Sequence, residues 1–318
     1  MQTKQIGFIA LAVAVVAIIG YFLYMSNETL VVVDQQPDEE PATTPEPNDP
    51  PADETEPTID PEPDDAPTVA TGPRVLGTTA GGNDITAHHF GTGETEILLI
   101  GGIHGGYSWN TALLGYELVD YFEADESRVP ENLRVTVIPV LNPDGIETTL
   151  GTTDRFAAAD ALATTEAERV AGRFNANDVD LNRNFDCEWT ATAQWREQEV
   201  SGGSAPFSEP AAQVIRDYIN VNDPAAAIVW FSAEGVVYPA SCDGIPSNAA
   251  NDLADTFSTA ANYPVTEEFI AYTITGDMAN WFARQEIPTI SVLLTDHQNT
   301  EWSKNRAGVE AVLNAYAE

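Results

Sequence analysis

Short apolar runs alternate with helix-like patterns through the chain after residue 73. Five runs have the length of a strand, and several are apolar throughout, which is typical of strands covered on both faces. They are Ile85–Phe90, Glu96–Gly101, Arg134–Val140, Ala226–Ser232 and Thr289–Leu294.

The segments between these runs have helical periodicity. Helices are predicted at Asn110–Phe122, after Ser208-Glu209-Pro210, at Thr275–Glu286 and at Glu301–Tyr316. At the second of these, Ser208 offers a cap and Pro210 an early proline. Strands alternating with helices predict one α/β domain over residues 73–318, with a mixed, mostly parallel twisted sheet and helices on both faces.

In such sheets, ligands bind beyond the carboxyl ends of the strands. Four segments that follow predicted strands carry polar or titratable side chains: His104, Asn142–Gly145, Ser232–Gly235 and Thr295–Asn299. We therefore expect a functional site at this edge. His88 and His89 alternate along a strand instead and are interpreted as structural.

The N-terminal region has a different composition. Residues 6–24 contain no charge, and at ~1.5 Å per residue they are long enough to cross a bilayer. No small-residue cleavage site follows, which favours an uncleaved signal anchor over a removable signal peptide. Lys4 before the span and acidic residues after it predict residues 1–5 in the cytoplasm and the main domain outside.

Residues 25–72 are predicted to form a disordered stalk. The stretch Asp34–Gly72 has ten prolines and thirteen acidic residues, without a basic or aromatic residue. Such a segment buries too little apolar surface to fold, and its charges and prolines extend it. The alternative is that this acidic segment is a binding site for a basic partner.

Net charge and cysteine usage narrow the function classes. From residue 73 the chain has 12 basic and 36 acidic residues, a surface that disfavours nucleic acid as a partner and favours solubility. Cys187 and Cys242 are the only cysteines. If the domain lies outside the membrane in an oxidising compartment, these two cysteines are expected to form a disulfide. A metal site built from thiols would need more cysteines or a close pair.

Several motifs resemble the zinc carboxypeptidase family, whose members trim C-terminal residues or hydrolyse cell-wall peptides. In the family's order the chain contains GGIHGG (101–106), NPDG (142–145), RFNANDVDLNRNF (173–185), SEPAA (208–212), IVWFSAEG (228–235) and ITGDMANWFARQEIPTISVLL (274–294). The resemblance spans about residues 75 to 315 and implies the family's α/β fold.

The resemblance also implies a zinc site of two histidines and one glutamate, with a water that a second glutamate deprotonates. His104 matches the first zinc histidine. The family's other three positions are predicted to hold Tyr107, Ser232 and Leu293. Because none of these side chains can replace imidazole or carboxylate, we expect the zinc site to be degraded, His104 to be a residual loop residue, and no cofactor to be required.

The substrate-binding half of the motif is retained. Arg183 matches the arginine that grips a terminal carboxylate, Asn182 its amide neighbour, and Arg173 the oxyanion arginine of bacterial members. The alternative for both arginines is a salt bridge to surrounding acids.

The leading hypothesis is therefore a membrane-anchored, non-catalytic relative that binds peptides or cell-wall stems by their C-terminal carboxylate. An alternative is an active hydrolase with a rearranged zinc site around His104 and His297, helped by Glu234, Asp296 or Glu301. A serine hydrolase using Ser108 or Ser232 is less favoured, because no Gly-x-Ser-x-Gly elbow surrounds either serine. A purely structural exported domain is the remaining alternative.

Overall fold

The computed structural model describes residues 71–266 and 269–318. The predicted anchor and almost the whole predicted stalk lie outside these residues. Within them, no helix combines the length and apolar character that a membrane span requires.

A seven-stranded sheet forms the centre of the fold, in the order β1-β2-β4-β3-β7-β9-β8. The strands of this sheet are β1 (Gly72–Thr78), β2 (Asp84–Phe90), β3 (Thr95–Ile100), β4 (Leu133–Ile138), β7 (Ala226–Ser232), β8 (Val236–Pro239) and β9 (Thr289–Leu294). A separate hairpin consists of β5 (Thr192–Trp195) and β6 (Gln198–Ser201). β1 begins one residue before the predicted start of the domain.

The prediction of a mixed sheet is confirmed, but "mostly parallel" holds only for its centre. β4, β3, β7 and β9 are parallel neighbours, whereas β1, β2 and β8 pair antiparallel. The difference arises because the two edge strands, β1 and β8, escaped the sequence pattern. β1 has no buried residue and therefore no continuous apolar run, and β8, although mostly buried, is only four residues long.

Eight α-helices occur within the described residues. They are α1 (Trp109–Ala124), α2 (Pro143–Leu150), α3 (Ala158–Leu162), α4 (Glu166–Ala171), α5 (Pro210–Asn222), α6 (Asn248–Ala261), α7 (Met278–Arg284) and α8 (Trp302–Tyr316). α1, α6 and α8 contribute to the hydrophobic core on one face of the sheet, and α5 and α7 to the core on the other. Helices on both faces are therefore confirmed.

Two predicted helix starts are corrected by the structure. α7 begins at Met278 rather than Thr275, because the Asp277 side chain accepts a hydrogen bond from Asn280 N and caps the helix there. α5 begins at Pro210 behind Glu209, and no side chain caps it. Ser208 instead donates to the Glu209 carboxylate.

Candidate functional site

A cavity of about 1100 Å³ opens beyond the ends of the central strands. Two of the four predicted segments contribute to it: His104 after β3, and the Ser232–Glu234 turn after β7. Asn142–Gly145 instead begins α2, where the Asn142 side chain caps the helix. His297 lines a separate, smaller pocket of about 200 Å³. The ring of Tyr107 packs against the imidazole of His297, and the two ring centroids are 4.6 Å apart.

His104 is buried in the wall of the cavity, immediately before a 3₁₀ turn at Gly105–Ser108. Its Nε2 lies 3.6 Å from Asp180 Oδ1, beyond hydrogen-bond distance, and neither ring nitrogen has a partner among the described residues. Burial and then the Arg173 guanidinium lower the pKa of His104 to about 4. The imidazole is therefore neutral at pH 7.

This low pKa predicts a pH-dependent stability. An unfolded histidine titrates near 6.5, so between pH 6.5 and about 4 the unfolded chain binds more protons, and the free energy of unfolding falls as the pH drops. We expect His104→Gln to remove up to about 3 kcal/mol of that fall. Urea unfolding of both proteins at several pH values measures it; identical slopes between pH 6.5 and 4 would contradict it.

Tyr107 stands where the resemblance places a zinc-binding glutamate. Its hydroxyl accepts a hydrogen bond of 2.6 Å from Arg196 Nη2, and its ring meets that of Trp195 edge-on at 5.0 Å. Burial raises the pKa of this phenol despite the nearby arginines, so the side chain is uncharged at neutral pH. Tyr107 therefore anchors an arginine instead of offering an anionic ligand.

The neighbour of His104 on β7 is Phe231, not the predicted Ser232. The ring centroids of Phe231 and His104 are 5.6 Å apart. Successive side chains of a strand point to opposite faces, and the Ser232 hydroxyl accordingly bonds Asn110 Oδ1 at 2.9 Å. The β7 side chain that lies beside His104 is thus a phenyl ring, which cannot bind a metal ion.

Leu293 lines the cavity from the next strand, as the resemblance leads us to expect. In the parallel pairing of β7 with β9 it lies opposite Phe231. His104, Phe231 and Leu293 therefore contribute one neutral imidazole and two apolar side chains to this wall.

Arg173 is buried and paired with a carboxylate. Its Nε and Nη2 donate to Asp180 Oδ2 at 3.0 and 2.8 Å. Burial raises the pKa of Asp180, but the Arg173 guanidinium, His104 and the Arg183 guanidinium together outweigh burial and hold that pKa below its ordinary value. The guanidinium carbon also lies 4.4 Å from the centroid of the Trp195 ring.

Arg183 is also buried, with 1% of its surface exposed, yet it lines the cavity. Its Nη1 donates to Asn182 O at 2.7 Å, and its Nε and Nη2 donate to Gln194 O at 3.2 and 3.1 Å. Both acceptors are neutral carbonyls. No carboxylate oxygen within residues 71–266 and 269–318 lies within 4.0 Å of its nitrogens.

The amide of Asn182 is used internally. Its Nδ2 donates to Asp277 Oδ2 at 2.6 Å, and its Oδ1 accepts from Met278 N at 3.0 Å. These bonds fix the turn that carries Arg183 to the first residues of α7. One amide hydrogen of Asn182 remains for other partners.

The predicted disulfide between Cys187 and Cys242 is confirmed, with 5.6 Å between the two Cα atoms. Cys242 lies in the cavity wall, and Cys187 follows the turn that carries Arg183. The bond therefore joins the Arg183 segment to the segment after β8.

The structure does not bring together the side chains of the alternative hydrolase sites. Glu301 bonds Thr295 and Lys304, and Asp296 bonds the following loop. Ser232 donates its hydroxyl hydrogen to Asn110 Oδ1 and not to a histidine. His88 and His89 lie on β2, where His89 Nδ1 is 2.9 Å from Thr136 Oγ1.

Zinc does not fit the residues at this site. A zinc centre needs three or four nitrogen, sulfur or carboxylate ligands from the protein, whereas the side chains beside His104 are Asp180, which is already paired with Arg173, and the phenyl ring of Phe231. Across the described ranges, no group of three or more histidine, cysteine, aspartate and glutamate side chains is arranged to hold a metal ion.

Trp195, Arg196 and Tyr272 were not singled out from the sequence. All three line the cavity, and the first two belong to the β5–β6 hairpin. The guanidinium carbon of Arg183 lies 5.9 Å from the centroid of the Tyr272 ring. Clustered aromatic and basic residues just after the DLNRNF motif were the available signal.

Comparison with known proteins assigns the chain to the family that its motifs resemble. The family model described as zinc carboxypeptidase matches residues 70–310. Human carboxypeptidase D is 33% identical over 99 residues, which cover 29% of this chain and 6% of that protein. Murein peptide amidase A from Escherichia coli K12 is 24% identical over 196 residues, which cover 58% of this chain and 65% of that protein. Both alignments span less than two-thirds of the relative.

The fold is shared with a solved structure, carboxypeptidase A from Helicoverpa armigera. The TM-score is 0.62 at 20% sequence identity, and the superposition covers 77% of this chain and 68% of that chain.

Proposed function

This chain belongs to the zinc carboxypeptidase family, and we propose that it binds the C-terminal carboxylate of peptides in its cavity without zinc-dependent hydrolysis. The observation that carries the proposal is the state of Arg183, a buried guanidinium in the cavity wall. The bacterial relative named for murein peptides supports cell-wall stem peptides as one class of ligand.

The hydrogen bonds of Arg183 support carboxylate binding. An arginine has five N–H donors, and three of them reach carbonyl oxygens. Two remain, one on each terminal nitrogen, and such a pair matches the two oxygens of a carboxylate. A buried cation without an anionic partner is unfavourable, so a bound carboxylate would supply the missing charge.

The other cavity residues support the loss of hydrolysis. A general base must accept a proton from the attacking water, and Leu293 cannot do so. Phe231 and Tyr107 cannot complete a zinc site with His104. The cavity thus retains a group that recognises the end of a peptide but lacks those that activate water.

Binding of paired peptides tests this function. We expect N-acetyl-Ala-Ala-Ala with a free C-terminus to bind at least about tenfold more tightly than its amide, because charged hydrogen bonds contribute about 1.5–3 kcal/mol. Arg183→Met should erase the difference, and Arg183→Lys should reduce it by removing the bidentate geometry. Isothermal titration calorimetry of each peptide with the wild-type chain and with both variants measures all six affinities.

The matched control is Arg284→Met, because Arg284 is exposed and pairs with Asp186 outside the cavity. Circular dichroism establishes that each variant is folded. Equal binding of acid and amide, or no binding, would favour the structural-domain alternative. One tightly held zinc per purified chain would favour the rearranged hydrolase.

The proposal includes anchoring of the domain outside the membrane by residues 6–24 and the acidic stalk. The uncharged span and the acidic residues after it support this orientation. Protease treatment of intact cells tests it: the domain should be released while the extreme N-terminus stays protected.

A further inference from the structure

We propose that the cavity selects peptides whose penultimate residue is acidic, with Arg196 as the contact for that second carboxylate. The inference rests on the proposed function, because it takes Arg183 as the contact for the terminal carboxylate. It adds a second recognition point and a class of preferred ligand.

The first support is the distribution of uncompensated positive charge. Of the twelve basic residues after residue 73, eight have a carboxylate oxygen within 4.0 Å. Within the described part of the chain, the other four are Arg74, Arg169, Arg183 and Arg196. Two of these four line the same cavity. Because acids outnumber bases three to one here, two such guanidiniums in one cavity indicate an anionic ligand.

The second support is that Arg196 is held in place. Its Nη2 donates to Tyr107 Oη at 2.6 Å, and its guanidinium carbon lies 5.3 Å from the centroid of the Trp195 ring. Its backbone φ is 55°, a left-handed value that is uncommon for residues other than glycine, asparagine and aspartate. Residues with a strained backbone cluster at ligand-binding sites, so the strain at Arg196 supports a role in binding a ligand.

The third support is that both arginines meet the cavity at the same end of the hairpin. Arg183 donates to the carbonyl of Gln194 on β5, and Arg196 lies in the turn that directly follows β5. A peptide whose terminal carboxylate meets Arg183 can therefore present its penultimate side chain to Arg196 at this turn.

The acidic residues of the cavity sharpen the selection. Glu188, Glu197 and Glu234 also line it, and none of them lies within 4.0 Å of a nitrogen of either arginine. They repel a carboxylate placed anywhere except against a guanidinium. The spacing of the ligand's two charges, and not negative charge alone, therefore determines the fit.

Four tripeptides test the inference: N-acetyl-Ala-Glu-Ala and N-acetyl-Ala-Gln-Ala, each as the free acid and as the C-terminal amide. We expect the Glu acid to bind about tenfold more tightly than the Gln acid, which corresponds to about 1.4 kcal/mol. Arg196→Gln should equalise the two while both acids still bind better than their amides. Calorimetric titration at low salt gives the affinities.

Tyr107→Phe tests whether the hydroxyl of Tyr107 positions Arg196 for its contact with the ligand. The variant keeps the ring but loses the hydroxyl that holds Arg196, so we expect the preference for Glu over Gln to fall to about threefold. Arg155→Gln is the matched control, because Arg155 is half-exposed and pairs with Asp120 outside the cavity.

Each outcome has one meaning. If the free acids bind better than the amides but Glu and Gln bind equally, this inference fails and the proposed function stands. If the preference for Glu survives in Arg196→Gln, the assignment to Arg196 is wrong. If no free acid binds better than its amide, both proposals fail.

Discussion

Replacing Tyr107 with glutamate and Phe231 with histidine is expected to give a chain that retains on the order of one zinc ion, because three protein ligands with a water complete a zinc site. His104 already offers an imidazole whose nitrogens have no hydrogen-bond partner in the described structure. Phe231 places its ring 5.6 Å from that imidazole. The wild-type chain should retain far less than one ion after dialysis.

The matched control is the pair Tyr107→Glu with Ser232→His. It adds the same residue types, but the Ser232 side chain points toward Asn110, so its histidine should not reach the ion. Metal analysis after dialysis against micromolar zinc distinguishes the two designs. Equal zinc in both designs would contradict the placement of the Phe231 side chain, and not that of Ser232, beside His104. Neither design should hydrolyse peptides, because Leu293 still lacks a carboxylate.

Much of the fold could be predicted because buried strands and amphipathic helices leave direct patterns in the sequence. The strands Ala226–Ser232 and Thr289–Leu294 were predicted at their observed bounds. The edge strands and the β5–β6 hairpin were missed, because β1, β5 and β6 are partly exposed and have no continuous apolar run, and β8 has only four residues. The helix that begins at Pro143 was missed as well, although Asn before Pro is a typical helix start.

The site could be located from motifs, but the direction of its side chains could not. β7 is buried on both faces, so its residues show no alternation that would indicate which of Phe231 and Ser232 faces His104. Contacts between side chains that are far apart in the sequence could not be predicted either. Nothing local in the sequence indicates that Arg196 bonds Tyr107, 89 residues away, or that Asp180 neutralises Arg173 while Arg183 has no such partner in the part of the chain that the structure describes.

Asp180→Ala is expected to lower the free energy of unfolding by about 3–5 kcal/mol, because it leaves a buried guanidinium without its anion. Arg173 and Asp180 are both almost fully buried, with 2% and 0% exposure. Asp180 also accepts a hydrogen bond from Asn182 N, so its loss additionally loosens the turn that carries Arg183. Urea unfolding followed by tryptophan fluorescence measures the change.

The double variant Arg173→Met with Asp180→Leu separates charge from packing. Replacing a whole buried ion pair by apolar side chains of similar volume is often neutral or stabilising, so the double variant should recover most of the stability that Asp180→Ala loses. If it is as unstable as the single variant, the contribution of Asp180 comes from its bond to the Asn182 backbone and not from neutralising Arg173. Recovery would instead mean that the ion pair is dispensable for folding, which leaves recognition at the cavity wall as the reason for an arginine there.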